Sequence, residues 1–225
     1  MDGQLRQIVE GVLLVFAALL PIVNPFGGAP VFLAMTADCT AEMRKTLAQR
    51  VAINAFLLLL FSVFVGTYVL DFFGLSVPIV QVAGGLVVCA LGWDILRQDT
   101  AVPPPSPASG DAAADIATRA FYPLTLPLTV GPGTISVAIT LGANHSGGMR
   151  SLLVNGASEL IGVTLIAATI LLCYRYADRM LRRLGAAGTS VLVRLSAFIL
   201  LCIGVQIFWN GVSALAATLP LARGH

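Results

Sequence analysis

Apolar residues gather along this chain into six long runs, each bounded by charged, proline or glycine residues. They extend from about Ile8 to Met35, Leu47 to Phe73, Val77 to Leu96, Ala120 to Leu141, Ser151 to Tyr174 and Val191 to Leu215. A hydrocarbon core of roughly 30 Å needs about 20 apolar residues of helix to cross it. Each run therefore predicts one transmembrane helix, and the chain an all-α integral membrane fold. Between the third and fourth runs, residues 100–118 are rich in Pro, Ala, Ser and Asp. That composition cannot bury a core and reads as a linker. It divides a first three-helix unit, residues 1–99, from a second, residues 119–225.

Composition agrees with lipid as the main solvent. Of the 225 residues, 57% are hydrophobic and 11% charged, where a soluble domain carries roughly 25% charge. Arg6 followed by Gly11 to Leu20 has the outline of a signal peptide. However, Glu10 interrupts its start and no small-residue cleavage site follows, so the run is expected to stay as the first span.

The 13 basic residues give the spans a direction. Arg44, Lys45, Arg50, Arg97, Arg119, Arg175, Arg179, Arg182, Arg183 and Arg194 fall on the odd-numbered connections or their flanks. Only Arg6, Arg150 and Arg223 fall on the other side. By the positive-inside rule the first group is cytoplasmic and both termini lie outside the cytoplasm. If segments 1 and 4 were re-entrant, the same residues would divide more evenly, eight against five, and fit the rule less well. The chain is expected to be a multi-pass protein of the plasma membrane, the inner membrane in a cell with two. The basic residues are scattered, without interleaved aromatics, which argues against nucleic acid as a partner.

Three spans per half place a repeated half upside down in the membrane, and the sequence supports such a repeat. Segment 1 holds Leu20-Pro21 and then Asn24-Pro25-Phe26-Gly27-Gly28; segment 4 holds Leu126-Pro127 and then Gly131-Pro132-Gly133-Thr134. Arg50 with Asn54 in segment 2 matches Arg150 with Asn155 in segment 5. Gly84-Gly85 before Gly92 and Asp94 matches Ser196-Ala197 before Gly204 and Gln206. The expected fold is two inverted three-helix repeats with helices 1 and 4 broken.

The breaks follow from backbone chemistry. Segment 1 as one straight helix would measure about 42 Å. Pro25 lacks an N–H and disfavours helical geometry at Asn24, and Pro30 suits the first turn of a restarted helix. Gly131-Pro132-Gly133 interrupts segment 4 in the same way. Broken backbone at membrane depth is tolerated where it is buried in protein or lines a wet cavity, and paired interruptions mark the site in secondary transporters. Neighbouring helices repairing two ordinary proline kinks is the competing reading.

These blocks resemble the MarC family. The resemblance lies in Leu20-Pro21, Asn24-Pro25-Phe26-Gly27, Pro30-Val31-Phe32-Leu33 and Val82-Ala83-Gly84-Gly85-Leu86. It continues through Pro123-Leu124-Thr125, Pro127, Gly131-Pro132-Gly133-Thr134-Ile135, Arg194 and Gly204-Val205-Gln206. It implies six spans, an inverted repeat and transport of small neutral amino acids such as glycine or alanine, coupled to Na⁺ or H⁺.

The expected substrate site is Asn24, Pro25, Phe26, Gly27 and Gly28 from one break with Thr129, Gly131, Pro132, Gly133 and Thr134 from the other. Restarted helix N-termini would hold the substrate carboxylate. Glu159, near the middle of segment 5, is an ionisable group in the membrane and a candidate for the coupling ion, with Asn155 and Asn54. Cys39, Cys89, Cys173 and Cys202 lack metal-site spacing and read as apolar packers. No resident metal or cofactor is expected. His145 and His225 lie in loops or at the terminus, and there is no HExxH, Ser–His arrangement or GxxxxGK[ST], so neither an enzyme nor an ATPase is expected.

The function the sequence supports is alternating-access secondary transport. A channel or an exporter of another small solute, or a structural membrane subunit, stands as the alternative. The expected partners are the bilayer and the small-molecule substrate, and a homo-oligomer is left open.

Overall fold

The computed structural model describes residues 2–97, 112–143 and 149–218, and every regular element among them is helical. The first span is α1, Asp2–Val23, followed by the short α2, Pro25–Met35. The break between them is one residue wide. Asn24 adopts the left-handed conformation (φ 46°, ψ 55°), which Asn tolerates better than most residues. Its N–H bonds to Leu20 O at 2.9 Å and closes α1. Its side-chain Oδ1 accepts the Gly27 N–H at 3.1 Å and opens α2. A restart at Pro30 was expected. The restart is at Pro25, where Asn24 supplies the cap and a missing N–H costs nothing, and Pro30 lies inside α2.

The next helix, α3, runs from Ala41 to Phe72 and so begins six residues before the apolar run. Thr40 caps it by accepting the Met43 N–H at 3.3 Å, and Glu42 complements the dipole in its first turn. The turn between α2 and α3 is held from two sides. Arg44 donates to Thr36 O at 2.8 Å and to Cys39 O at 3.3 Å. Arg119, from the second half of the chain, forks onto Asp38 with two 3.0 Å bonds and reaches Met35 O at 3.1 Å. Such bidentate pairs are the stronger kind of ion pair.

The hydrogen bond from Arg119 holds the Asp38 carboxyl below its ordinary value of 3.8. A depressed carboxylate stabilises the fold above its unfolded pKa and loses that contribution as pH falls through the folded value. Asp38→Asn is therefore expected to lower the melting temperature modestly at pH 7. The gap from the parent should persist down to the ordinary carboxyl value of 3.8 and close only below it, in thermal scans of the detergent-solubilised protein.

α4 (Val77–Arg97) completes the first half. The second opens with α5, Ala112–Arg119, which takes in the last residues of the expected linker; the rest of that linker lies outside the described residues. Ala112-Ala113-Ala114 are strong helix formers once Arg119 is anchored. A wide-turn segment, Ala120–Thr129, follows. In it Tyr122 and Leu126, each preceding a proline, are extended, and both Tyr122–Pro123 and Leu126–Pro127 are cis. Helix α6 is Pro132–Ala143, and its axis is bent 72° from Ile116–Thr129. α7 (Met149–Arg175) and α8 (Ala177–Ala216) complete the chain, α8 being kinked at Gly185, where φ is 66°.

α4 and α8 pack antiparallel along the most extensive helix pairing in the molecule. A Cβ on Gly85 would stand 2.8 Å from Gly204 O, one on Gly92 3.0 Å from Ala197 O, and one on Gly211 2.7 Å from Pro78 O. Small residues thus bring the two backbones into direct contact, the close approach typical of membrane helices. α3 packs on α7, α1 on α7, and the wide-turn segment on α3; α6 lies against α3 and α4, while α2 lies against α7 and α8. Buried Leu19, Phe32, Leu47, Leu59, Leu124, Ile166 and Ile170 fill the main core. The outer face is apolar too, with Leu13, Phe61, Phe72, Leu153, Val191 and Trp209 exposed, as lipid contact requires. Among the described residues five helices are long and apolar enough to cross a membrane, six if the bent pair is one span.

Candidate functional site

Between the first break and the wide-turn segment lies a cavity of about 230 Å³. Asn24, Gly27, Gly28, Val31 and Met35 line it from the first break, and Pro123, Pro127 and Leu128 from the wide-turn segment. Leu91 and Ile95 of α4, with Val193, Ser196 and Leu200 of α8, close the remaining walls. Both halves of the chain therefore meet at one space, next to the α4–α8 seam.

Its shape depends on two glycines. A Cβ on Gly27 would stand 2.7 Å from Ser196 Cβ and 2.5 Å from Asn24 Nδ2. A Cβ on Gly28 would stand 2.7 Å from the Tyr174 hydroxyl. The walls are mostly apolar, and the polar side chains among them are Asn24 and Ser196. Pro127, which also lines the cavity, has no N–H to give the carbonyl of Pro123 four residues earlier.

Of the residues expected at the site, Asn24, Gly27 and Gly28 line the cavity. Pro25 is buried beside them, and Phe26 is 45% exposed on the outer face. The second break meets the cavity earlier in the chain than Thr129 to Thr134. Gly133 packs against Val88 and Gly84 of α4, Gly131 and Thr134 are buried, and Pro132 is exposed. Glu159 is buried at 5% exposure on α7, one turn from half-buried Asn155. It lies roughly 22 Å along that helix from Tyr174. The neighbouring Ser158 bonds to Ile8 O of α1. Asn54 is half-buried on α3. None of these three lines the cavity.

Tyr174 joins the two breaks, and its position at the end of segment 5, before Arg175, gives little sign of this; tyrosine there reads as an interfacial residue. It is 1% exposed and stacks on Phe32 of α2, ring centroids 4.5 Å apart. Its hydroxyl lies 2.9 Å from Thr129 Oγ1. The Thr129 hydroxyl donates its single proton to Leu124 O at 2.7 Å, so Tyr174 is the donor and Thr129 the acceptor. Tyr174→Phe should cost about 1 kcal/mol, since Thr129 keeps its other bond. Thr129→Val strands a buried phenol and should cost more, about 1–3 kcal/mol. Denaturation of the two purified variants reads the order, and the reverse order would overturn the assignment of donor.

Comparison with known proteins agrees over nearly the whole chain. The profile of the MarC family integral membrane proteins matches residues 9–216. The inner membrane protein MarC of Salmonella typhimurium is 30% identical over 206 residues, covering 89% of this chain and 93% of that protein. A membrane protein of Archaeoglobus fulgidus is 29% identical over 206 residues, covering 92% and 94%. No solved structure matches the chain. The chain belongs to the MarC family of integral membrane proteins.

Proposed function

We propose that this member of the MarC family is a secondary transporter of small neutral solutes, with amino acids of the glycine and alanine class as substrates and Na⁺ or H⁺ as the coupling ion. The observation that carries the reading is the cavity enclosed by the first break, the prolines of the wide-turn segment and the α4–α8 seam. A carboxylate would take the Asn24 amide, the Ser196 hydroxyl and the Gly27 N–H that Asn24 now caps. An ammonium group would take the carbonyl of Pro123, a lining residue whose counterpart four residues on is itself a proline. The apolar walls leave room for a short side chain only.

The packing supports two inverted halves. Exchanging α1, α2, α3 and α4 for the wide-turn segment, α6, α7 and α8 maps the larger helix pairings onto one another. The seam carries the same relation at atomic scale. A Cβ on Gly92 would stand 3.0 and 2.8 Å from Ala197 O and Leu201 N; one on Gly204 would stand 3.0 and 2.6 Å from Gly85 O and Cys89 N. Each residue of the first contact lies 112 positions from its counterpart in the second. Under this reading both termini lie outside the cytoplasm and the Arg-rich connections inside, in the inner membrane named for the Salmonella relative. Glu159, with Asn155, would carry the coupling proton and act on the site through α7, which also bears Tyr174.

Purified protein in liposomes tests this, with labelled glycine or alanine followed under separate Na⁺ and pH gradients. Saturable, gradient-driven uptake is expected. Non-saturating flux would favour a channel, and no flux for any small neutral solute would remove the transporter reading.

A further inference from the structure

A second cavity, of about 390 Å³, opens where α3 begins and α7 passes into α8. Arg44 and Lys45 line it from α3, and Arg175, Arg179 and Arg182 from the α7–α8 junction, with Asp178 the one acid among its described lining residues. The positive-inside rule accounts for basic residues at one end of a membrane protein. It does not account for five of them converging on one concavity from elements so far apart in sequence.

Internal pairing leaves this site cationic. Arg182 pairs with Asp178, Lys45 with Glu42 at 2.7 Å, and Arg179 lies 5.5 Å over the Tyr176 ring. Arg44 uses Nε and Nη2 on the α2–α3 turn. Arg175 forms no ion pair among the described residues. Like charges held this close repel unless an anion joins them.

The surroundings indicate where that anion comes from. Beyond Lys45 the exposed side of α3 turns apolar, with Ile53 and Leu57 57% and 56% exposed. The same face of α7 as Arg175 carries Leu172 and Leu165, 56% and 43% exposed. The basic cavity thus sits at the foot of two outward apolar stripes, at the level where headgroups lie. We propose that it binds the phosphodiester headgroup of an anionic phospholipid whose acyl chains lie along α3 and α7, bridging the two halves of the chain.

Thermal unfolding of the purified full chain in mixed micelles tests this, with added phosphatidylglycerol, phosphatidylcholine or inorganic phosphate. Phosphatidylglycerol is expected to raise the melting temperature by several degrees and phosphatidylcholine not to. The triple variant Lys45→Ala, Arg175→Ala, Arg179→Ala should lose at least half of that rise. In the parent protein the rise should shrink as NaCl is added, because the site is open to solvent; this arm does not depend on the variant folding. An equal rise with phosphatidylcholine or with inorganic phosphate would overturn the proposal. So would a rise that survives the triple substitution or is insensitive to salt.

Discussion

Gly204→Leu should leave no monodisperse folded protein after extraction and size-exclusion chromatography. A Cβ at Gly204 would stand 2.6 Å from Cys89 N and 3.0 Å from Gly85 O, atoms of the opposing backbone. No rotamer relieves that contact; the helices would have to part along the most extensive interface of the fold. Overpacking commonly costs about 1–3 kcal/mol where side chains can move aside, and here the obstacle is main chain, so a larger penalty is expected. Gly188→Leu, in the same helix but off the seam, is the control. It should remain folded, since a Cβ there meets only the Leu184 side chain, at 3.2 Å. Normal folding of Gly204→Leu would count against the close α4–α8 contact.

Val193→Phe is expected to reduce uptake by about tenfold or more, a barrier change of ~1.4 kcal/mol or above, with the melting temperature nearly unchanged. Val193 lines the cavity from α8 and is half-buried. A phenyl ring there fills much of a space of about 230 Å³ without entering the main core. Flux in liposomes, normalised to inserted protein, provides the measurement. Unchanged flux in a folded variant would move the pathway elsewhere, whereas loss of both folding and flux would say only that α8 cannot accept the ring.

Hydropathy made the spans legible because it sums over many residues and tolerates errors at any one. The breaks were legible as places, since proline and glycine act on their own backbone. The pivot residue was not. Pro25 and Pro30 both suit a first helical turn, and the choice fell to the Asn24 side chain, whose reach to the Gly27 N–H is a matter of three-dimensional geometry. In segment 4 the eye goes to Gly131-Pro132-Gly133, yet Pro123 and Pro127 face the cavity, because two extended residues before prolines turn the chain ahead of the glycines.

Tyr174 and α5 escaped the sequence for different reasons. A buried tyrosine next to an arginine has the same local pattern as an interfacial one. What buries it is α2, far away in the chain. The alanines of α5 follow a proline-rich stretch whose composition dominates any local window, and the anchor that orders them, Arg119 on Asp38, is a long-range contact. The match of Gly84-Gly85 and Gly92 with Ser196-Ala197 and Gly204 was visible beforehand, but not that Gly85 meets Gly204 and Gly92 meets Ala197.

The α4–α8 seam bears on how such a molecule could work as a machine. Two shafts touching main chain to main chain have no clearance for sliding, so in such a machine the seam would serve as an axle. A cycle that swung one entire half past the other would have to break it. The moving parts would instead be the levers hung beside it, α1–α2 and the bent arm ending in α6, each hinged where its own chain is cut. Spin labels at the two ends of the axle would then report one fixed separation throughout the cycle, while labels on α2 and α6 would not.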